Sequence, residues 1–167
     1  MLRASPMPTA SSTDIEPLIH AVQTLNAEDA FAVRLTLEQW RTLGSYLTRH
    51  EIRPNDLLIQ QGDRERTMYL VEQGNLQVFV NRGAPGANRI AILRAGSVVG
   101  EPALFGDGPR MANVEAMNSC VVWALRGPRM EELSARLPAL ALEVLRAAGA
   151  VLSARMRANM ERGIPVC

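Results

Sequence analysis

The sequence contains no lysine: all 18 basic residues are arginine, set against 17 acidic ones for a net charge of +1. So close a balance excludes a broad electrostatic grip on nucleic acid or on an anionic membrane. The absence of lysine itself reads as genomic base composition before any function. Cysteine is scarce, and Cys120 and Cys167 alone do not make a disulfide framework. Cys167, as the last residue, is not placed as a prenylation box. Histidine is limited to His20 and His50, with no His-x-His or His-x-x-x-His spacing and no cysteine pair at zinc spacing. No serine stands in a Gly-x-Ser-x-Gly setting, and nothing around Cys120 marks a nucleophile. No enzyme, metal or cofactor is expected. The opening MLRASPMPTASST lacks the apolar core of a secretion signal. The most apolar long stretch, residues 138–154, carries Glu143 and Arg146 and is too broken to span a bilayer. A cytoplasmic chain without membrane contact is expected.

What is present fits one domain with a sizeable core: 167 residues, 47% of them hydrophobic. Residues 1–12, rich in Ser, Thr, Pro and Ala, are expected to be disordered. Thr13 opens a capping-box spacing with Glu16, and Ile15, Leu18, Ile19, Val22 and Leu25 mark one face of a first helix. Thr36 and Gln39 repeat that spacing before a second helix, with Leu37, Trp40, Leu43 and Leu47 on one face. Trp40 there reads as core, His20 as solvent-facing and His50 as a strand-edge residue.

From about residue 48 the pattern turns strand-like. Pro54-Asn55, Gly62-Asp63 and the stretch ending in Gly74-Asn75 read as turns. Strands are expected at 57–59, 68–71, 76–80, 90–93, 98–99, 112–116 and 120–125, with an exposed hairpin loop at 81–88. Short strands at close spacing predict a jelly roll or barrel. After Gly127-Pro128 the chain is helical, a short helix at 130–137 preceding a long one that starts at Pro138. Leu133, Leu137, Leu140, Val144, Ala147, Val151, Ala154 and Ala158 repeat at steps of four and three, a heptad seam. Leu142, Leu145, Leu152 and Met156 form a second stripe, so one face can cover the sheet while the other meets a twin helix. Arg155, Arg157 and Arg162 read as a solvated helix end, where positive charge suits the helix dipole.

The most informative stretch is residues 98–114, VVGEPALFGDGPRMANV. With Glu101 capping a one-turn helix, Pro102 takes the first position and the amides of Ala103 and Leu104 are free to receive an anion. Arg110 returns across a Gly-rich turn and can offer a planar fork of donors to the same anion. Glu101 would repel a phosphate and is better used as an acceptor for a hydroxyl. Together these suit a sugar phosphate. The alternative is a capped turn with Arg110 on the surface.

The order Gly-Glu-Pro-Ala-Leu-Phe, then Gly-Pro-Arg and an alternating strand, resembles the phosphate-binding cassette of cyclic nucleotide-binding domains. The turns at Gly62 and Gly74 stand where that family's β-roll carries glycines, so the resemblance extends over about residues 37–162. It implies a mainly β fold with flanking helices, a double-stranded β-helix or jelly roll over about 47–126, with C-terminal helices at 128–162 serving as lid or dimer contact. Residues 36–162 would be the cyclic nucleotide-binding domain, 13–35 an extra helical segment and 163–167 a tail. In the family the Glu binds the ribose 2′-hydroxyl and the Arg the cyclic phosphate, helped by main-chain amides. Carried over by position, the ligand-binding residues are Gly100, Glu101, Ala103, Leu104, Arg110, Met111 and Ala112. Pro102 departs from the usual Leu or Met, and Met111 from the usual Ser, Thr or Ala.

The resemblance implies a non-enzymatic sensor of a cyclic purine nucleotide that signals through its C-terminal helices to an effector protein. cAMP is expected in preference to cGMP, because cGMP-selective members often carry Thr after the Arg. The alternative is a ligand-free roll acting as a structural or interaction module. Transcription factors of this family continue into a helix-turn-helix domain; none follows residue 162, so direct DNA binding is not expected. A homodimer through the long helix is the remaining partner expectation.

Overall fold

The computed structural model describes residues 14–80 and 89–163. Thr13 with its capping spacing, the 1–12 segment, the expected loop at 81–88 and residues 164–167 lie outside the described residues.

The first helix, α1 (Glu16–Thr24), buries Leu18, Ile19, Ala21 and Val22, and the Asp14 carboxylate accepts the Glu16 amide at 3.0 Å. Helix α2 (Leu37–Gly44) begins with the expected capping box, Thr36 Oγ1 accepting from the Gln39 amide while the Gln39 side chain accepts from Thr36. Trp40 and Leu43 are buried, but Leu37 is exposed. Leu43 lies six positions after Leu37, which places them about 120° apart around a helix.

Eight strands follow among the described residues: β1 (Thr48–Ile52), β2 (Leu57–Ile59), β3 (Thr67–Gln73), β4 (Leu76–Phe79), β5 (Arg89–Leu93), β6 (Val98–Val99), β7 (Asn113–Ala116) and β8 (Cys120–Arg126). They pair in two antiparallel four-stranded sheets, ordered β1-β8-β3-β6 and β2-β7-β4-β5. Each sheet draws strands from both halves of the chain, the pairing of a jelly roll. Asn55 and Gly74 make their turns with φ of 71° and 93°.

Alternation divides the first sheet between two cores. Tyr69, Val71, Val99, Cys120, Val122 and Ala124 face the second sheet. Met68, Leu70, Val98, Trp123 and Leu125 face the helices. Burial on both faces explains why β8 reads as an unbroken apolar run. His50 lies on the edge strand β1, yet its side chain is buried.

Helix α3 (Gly127–Arg136) and helix α4 (Pro138–Arg162) close the fold. The heptad seam turns out to be the face that meets the protein's own core. Leu133, Leu140, Val144, Ala147 and Val151 are buried, Val144 at 0% exposure, whereas Leu137 is exposed. Of the second stripe, Leu142 and Met156 are exposed, while Leu145 packs partly against the helical core.

Candidate ligand-binding site

Strand β6 ends at Gly100, whose φ of +81° favours glycine. A Cβ there would stand 2.7 Å from the Thr67 carbonyl oxygen and 2.9 Å from Arg110 Nη1, so the close approach also demands it. Residues Glu101–Leu104 then form one turn of 3-10 helix with Gly100 as its cap. The expected cap was Glu101. The shift by one residue moves Pro102 to the second position, where its missing N–H still breaks no helix bond. It also changes the amides: the Ala103 N–H donates to the Gly100 carbonyl at 3.2 Å and is not free for an anion. The tight turn itself consumes that donor.

Arg110 is fixed at both its backbone and its side chain. Its amide donates to the Asp63 carbonyl at 2.7 Å, and its carbonyl accepts from the Gly62 amide at 2.8 Å. Nη1 donates to the Gly100 carbonyl at 3.1 Å and Nη2 to the Thr67 carbonyl. The guanidinium is thereby drawn to the start of the turn, with the residue only 8% exposed.

Glu101 is 1% exposed. Burial pushes its carboxyl above the ordinary value, opposed by the charge of Arg155 and by a hydrogen bond from its own backbone amide. Arg155 Nη1 donates to both Glu101 oxygens, at 2.9 and 3.0 Å. Its Nε donates to Asp29 Oδ2 at 2.9 Å and its Nη2 to the Val98 carbonyl at 2.8 Å. Burial works against the charge on Arg155, and Glu101 and Asp29 together more than offset it. The expectation of a solvated helix end therefore fails for Arg155, although Arg157 and Arg162 are exposed. The signal was its position: Arg155 follows buried Val151 by four residues and so lies on the core face of α4.

These groups line a cavity of about 650 Å³, within the range of small-molecule sites, roughly 300–1,000 Å³. Ile59, Val78, Leu93 and Val114 of the roll give it an apolar wall. Ala154, Arg155, Ala158 and Asn159 of α4 also line it. Of the expected ligand residues, Gly100, Glu101, Ala103, Arg110, Met111 and Ala112 line the cavity. Leu104 does not; its side chain packs toward the helical core instead. Met111 is 56% exposed and so does not fill the hollow between Glu101 and Arg110. A buried carboxylate and a guanidinium on one apolar-walled cavity can receive a hydroxyl, an anion and a flat ring in a single ligand.

The family model for the cyclic nucleotide-binding domain matches residues 49–136, more than half of the chain. The chain belongs to the cyclic nucleotide-binding domain family. Among relatives of this family, it is 34% identical over 88 residues to a cAMP-dependent protein kinase regulatory subunit of Blastocladiella emersonii, covering 53% of this chain and 22% of that protein. It is 35% identical over 81 residues to the acetyltransferase Pat of Mycolicibacterium smegmatis, covering 48% and 24% respectively. The chain thus spans about a fifth of the length of the curated relatives it matches. Its fold is that of a cyclic nucleotide-binding domain from Methylobacillus flagellatus, with a TM-score of 0.74, 23% identity and coverage of 89% and 81%. No described helix is long and apolar enough to cross a membrane.

Proposed function

We propose that this chain is a non-enzymatic sensor that binds a purine 3′,5′-cyclic nucleotide, cAMP in preference to cGMP, in the cavity beneath α4. The observation that carries the reading is the presence of Glu101 and Arg110 on the same apolar-walled cavity. Glu101 would accept the ribose 2′-hydroxyl, Arg110 would neutralise the cyclic phosphate, and the base would lie on the wall of the roll. The kinship with cAMP-dependent kinase regulatory subunits supports cAMP, as does Met111, which has no hydroxyl for a guanine. Helix α4 would serve as the lid, because Arg155 ties it to the carboxylate that a sugar would engage. A ligand moves such a lid only through different affinities for its two positions. An effector protein in the cytoplasm would read the displaced surface, and neither DNA nor membrane enters this reading.

One observation favours the alternative of a ligand-free module. A burial cost for unpartnered Glu101 and Arg110 would argue against it, but Arg155 and the Gly100 and Thr67 carbonyls supply partners within the chain. Calorimetry with cAMP and cGMP on wild type and Arg110→Ala separates the two. Saturable heat lost in the variant supports the sensor; silence of the wild type with both nucleotides leaves the module.

A further inference from the structure

The segment between α1 and α2 is not idle chain. Phe31 inserts into the helical core at 2% exposure. Beside it Arg146 Nη2 donates to the Ala32 carbonyl at 3.0 Å, and the Arg34 amide donates to Glu143 at 3.4 Å. An apolar anchor and these hydrogen bonds hold the segment against α4, and Asp29 stands two residues before the anchor. Its carboxylate accepts Arg155 Nε at 2.9 Å.

Arginine and carboxylate usually meet as a fork on a fork, with two parallel bonds. Arg155 does not meet Glu101 in that way. Nε is taken by Asp29 and Nη2 by the Val98 carbonyl, so a single nitrogen, Nη1, is left aimed at the Glu101 carboxylate. An arginine side chain free of such anchors would have to give up its rotamer freedom to stand there. With Nε and Nη2 held, the aim is set before any ligand arrives. Glu101 depends on it for its orientation, since Nη1 bonds both of its oxygens and the residue is otherwise deeply buried.

We propose that Asp29 is a positioning residue for the sugar-binding carboxylate, acting through Arg155 to hold Glu101 oriented toward the ligand's ribose hydroxyl. The inference rests on the cyclic-nucleotide reading of the cavity. Without Asp29 the Arg155 guanidinium is free to turn and Glu101 loses its fixed aim, so loss of Asp29 weakens the bond to the ribose hydroxyl and leaves the phosphate and base contacts as they were.

The test measures affinities of cAMP and 2′-deoxy-cAMP for wild type, Asp29→Ala, Asp29→Glu, Arg155→Met and the Asp29→Ala/Arg155→Met double variant, each checked for folding by circular dichroism. Asp29→Ala is expected to weaken cAMP about tenfold, the scale of one hydrogen bond to a charged group. It should leave 2′-deoxy-cAMP within about twofold, a change too small to represent a lost bond. Asp29→Glu restores part of the loss, and in the Arg155→Met background removal of Asp29 has no further effect. Equal weakening of both nucleotides, an unchanged cAMP affinity, or a loss that persists without Arg155 overturns the proposal while the sensor reading stands. A wild type that binds neither nucleotide overturns both.

Discussion

Arg155 and Glu101, 54 residues apart in the chain, meet through Nη1 and both carboxylate oxygens at 2.9 and 3.0 Å. Their contact joins the last turns of α4 to the turn that opens the candidate cassette. It makes the helix a neighbour of the ligand cavity as well as of the core, and the following expectations depend on it.

Arg155→Met removes the cation and leaves a buried carboxylate behind. The expected loss of stability at neutral pH is on the order of 3 kcal/mol, with faster amide exchange in the last three turns of α4. Urea unfolding and hydrogen exchange read the two effects. An α4 that stays protected in the variant would show that the contact does not hold the helix down.

Two glutamates should tilt the pH dependence of stability in opposite directions. Burial raises the Glu101 pKa, so the folded chain keeps this proton to higher pH than the unfolded chain does. Its contribution is full below the unfolded pKa and is lost as pH rises through the folded one. Glu143 is lowered, chiefly by its hydrogen bond with Arg146. Its contribution is present above the unfolded pKa and is lost as pH falls through the folded one. Urea titrations from about pH 3 to 7, spanning the carboxylate range, should show Glu101→Gln removing a falling slope and Glu143→Gln a rising one. Slopes of the same sign would contradict the assignment.

Gly100→Ala should damage fold and site together. The added methyl meets the Thr67 carbonyl and Arg110 Nη1 at 2.7 and 2.9 Å, in a backbone conformation with φ of +81°. Strain at such a position costs on the order of 1–3 kcal/mol, read as a lower urea midpoint. Because the carbonyl of Gly100 also holds Arg110, cyclic nucleotide affinity should fall in the same variant. Gly106→Ala, where a methyl would meet nothing within 4 Å, serves as the comparison.

Arg110→Ala and Glu101→Ala differ in the size of their expected effect on nucleotide affinity. Loss of the guanidinium should cost about 2–5 kcal/mol if the phosphate pair is desolvated. Loss of the carboxylate should cost about 1–3 kcal/mol, one hydrogen bond to a charged group. Calorimetry that ranks Glu101→Ala as the more damaging would reverse the assigned roles.

A homodimer through α4 can use only the outer stripe. Val144 sits in the core, so Val144→Glu should unfold the chain rather than give a folded monomer. Leu142→Glu and Met156→Glu alter exposed positions and should leave the fold intact. Sedimentation should show a wild-type dimer converted to monomer by either change; a monomeric wild type ends the proposal.

Much of the fold was readable because it is written in local rules. The capping box at Thr36, the left-handed turns at Asn55 and Gly74, and the alternation of Leu76, Val78 and Val80 each depend on neighbours within a few residues. The exposed Leu37 was misread because periodicity identifies a face without saying how far its packing partner extends. The cap at Gly100 was misread for a related reason: a 3-10 turn and an α-turn begin with the same residues, and only the carbonyl that accepts the Ala103 amide distinguishes them.

By itself, then, the sequence determined a roll of short strands and brought Glu101 and Arg110 forward as candidate ligand contacts. Each is a consequence of backbone geometry or of residue types close together in the chain. Tertiary structure alone decided that the heptad seam of α4 faces inward, that Leu104 turns toward the helices, and that Arg155 stands between Asp29 and Glu101. Those outcomes depend on which distant surfaces meet, and burying a charge is tolerable only where another element supplies its partner.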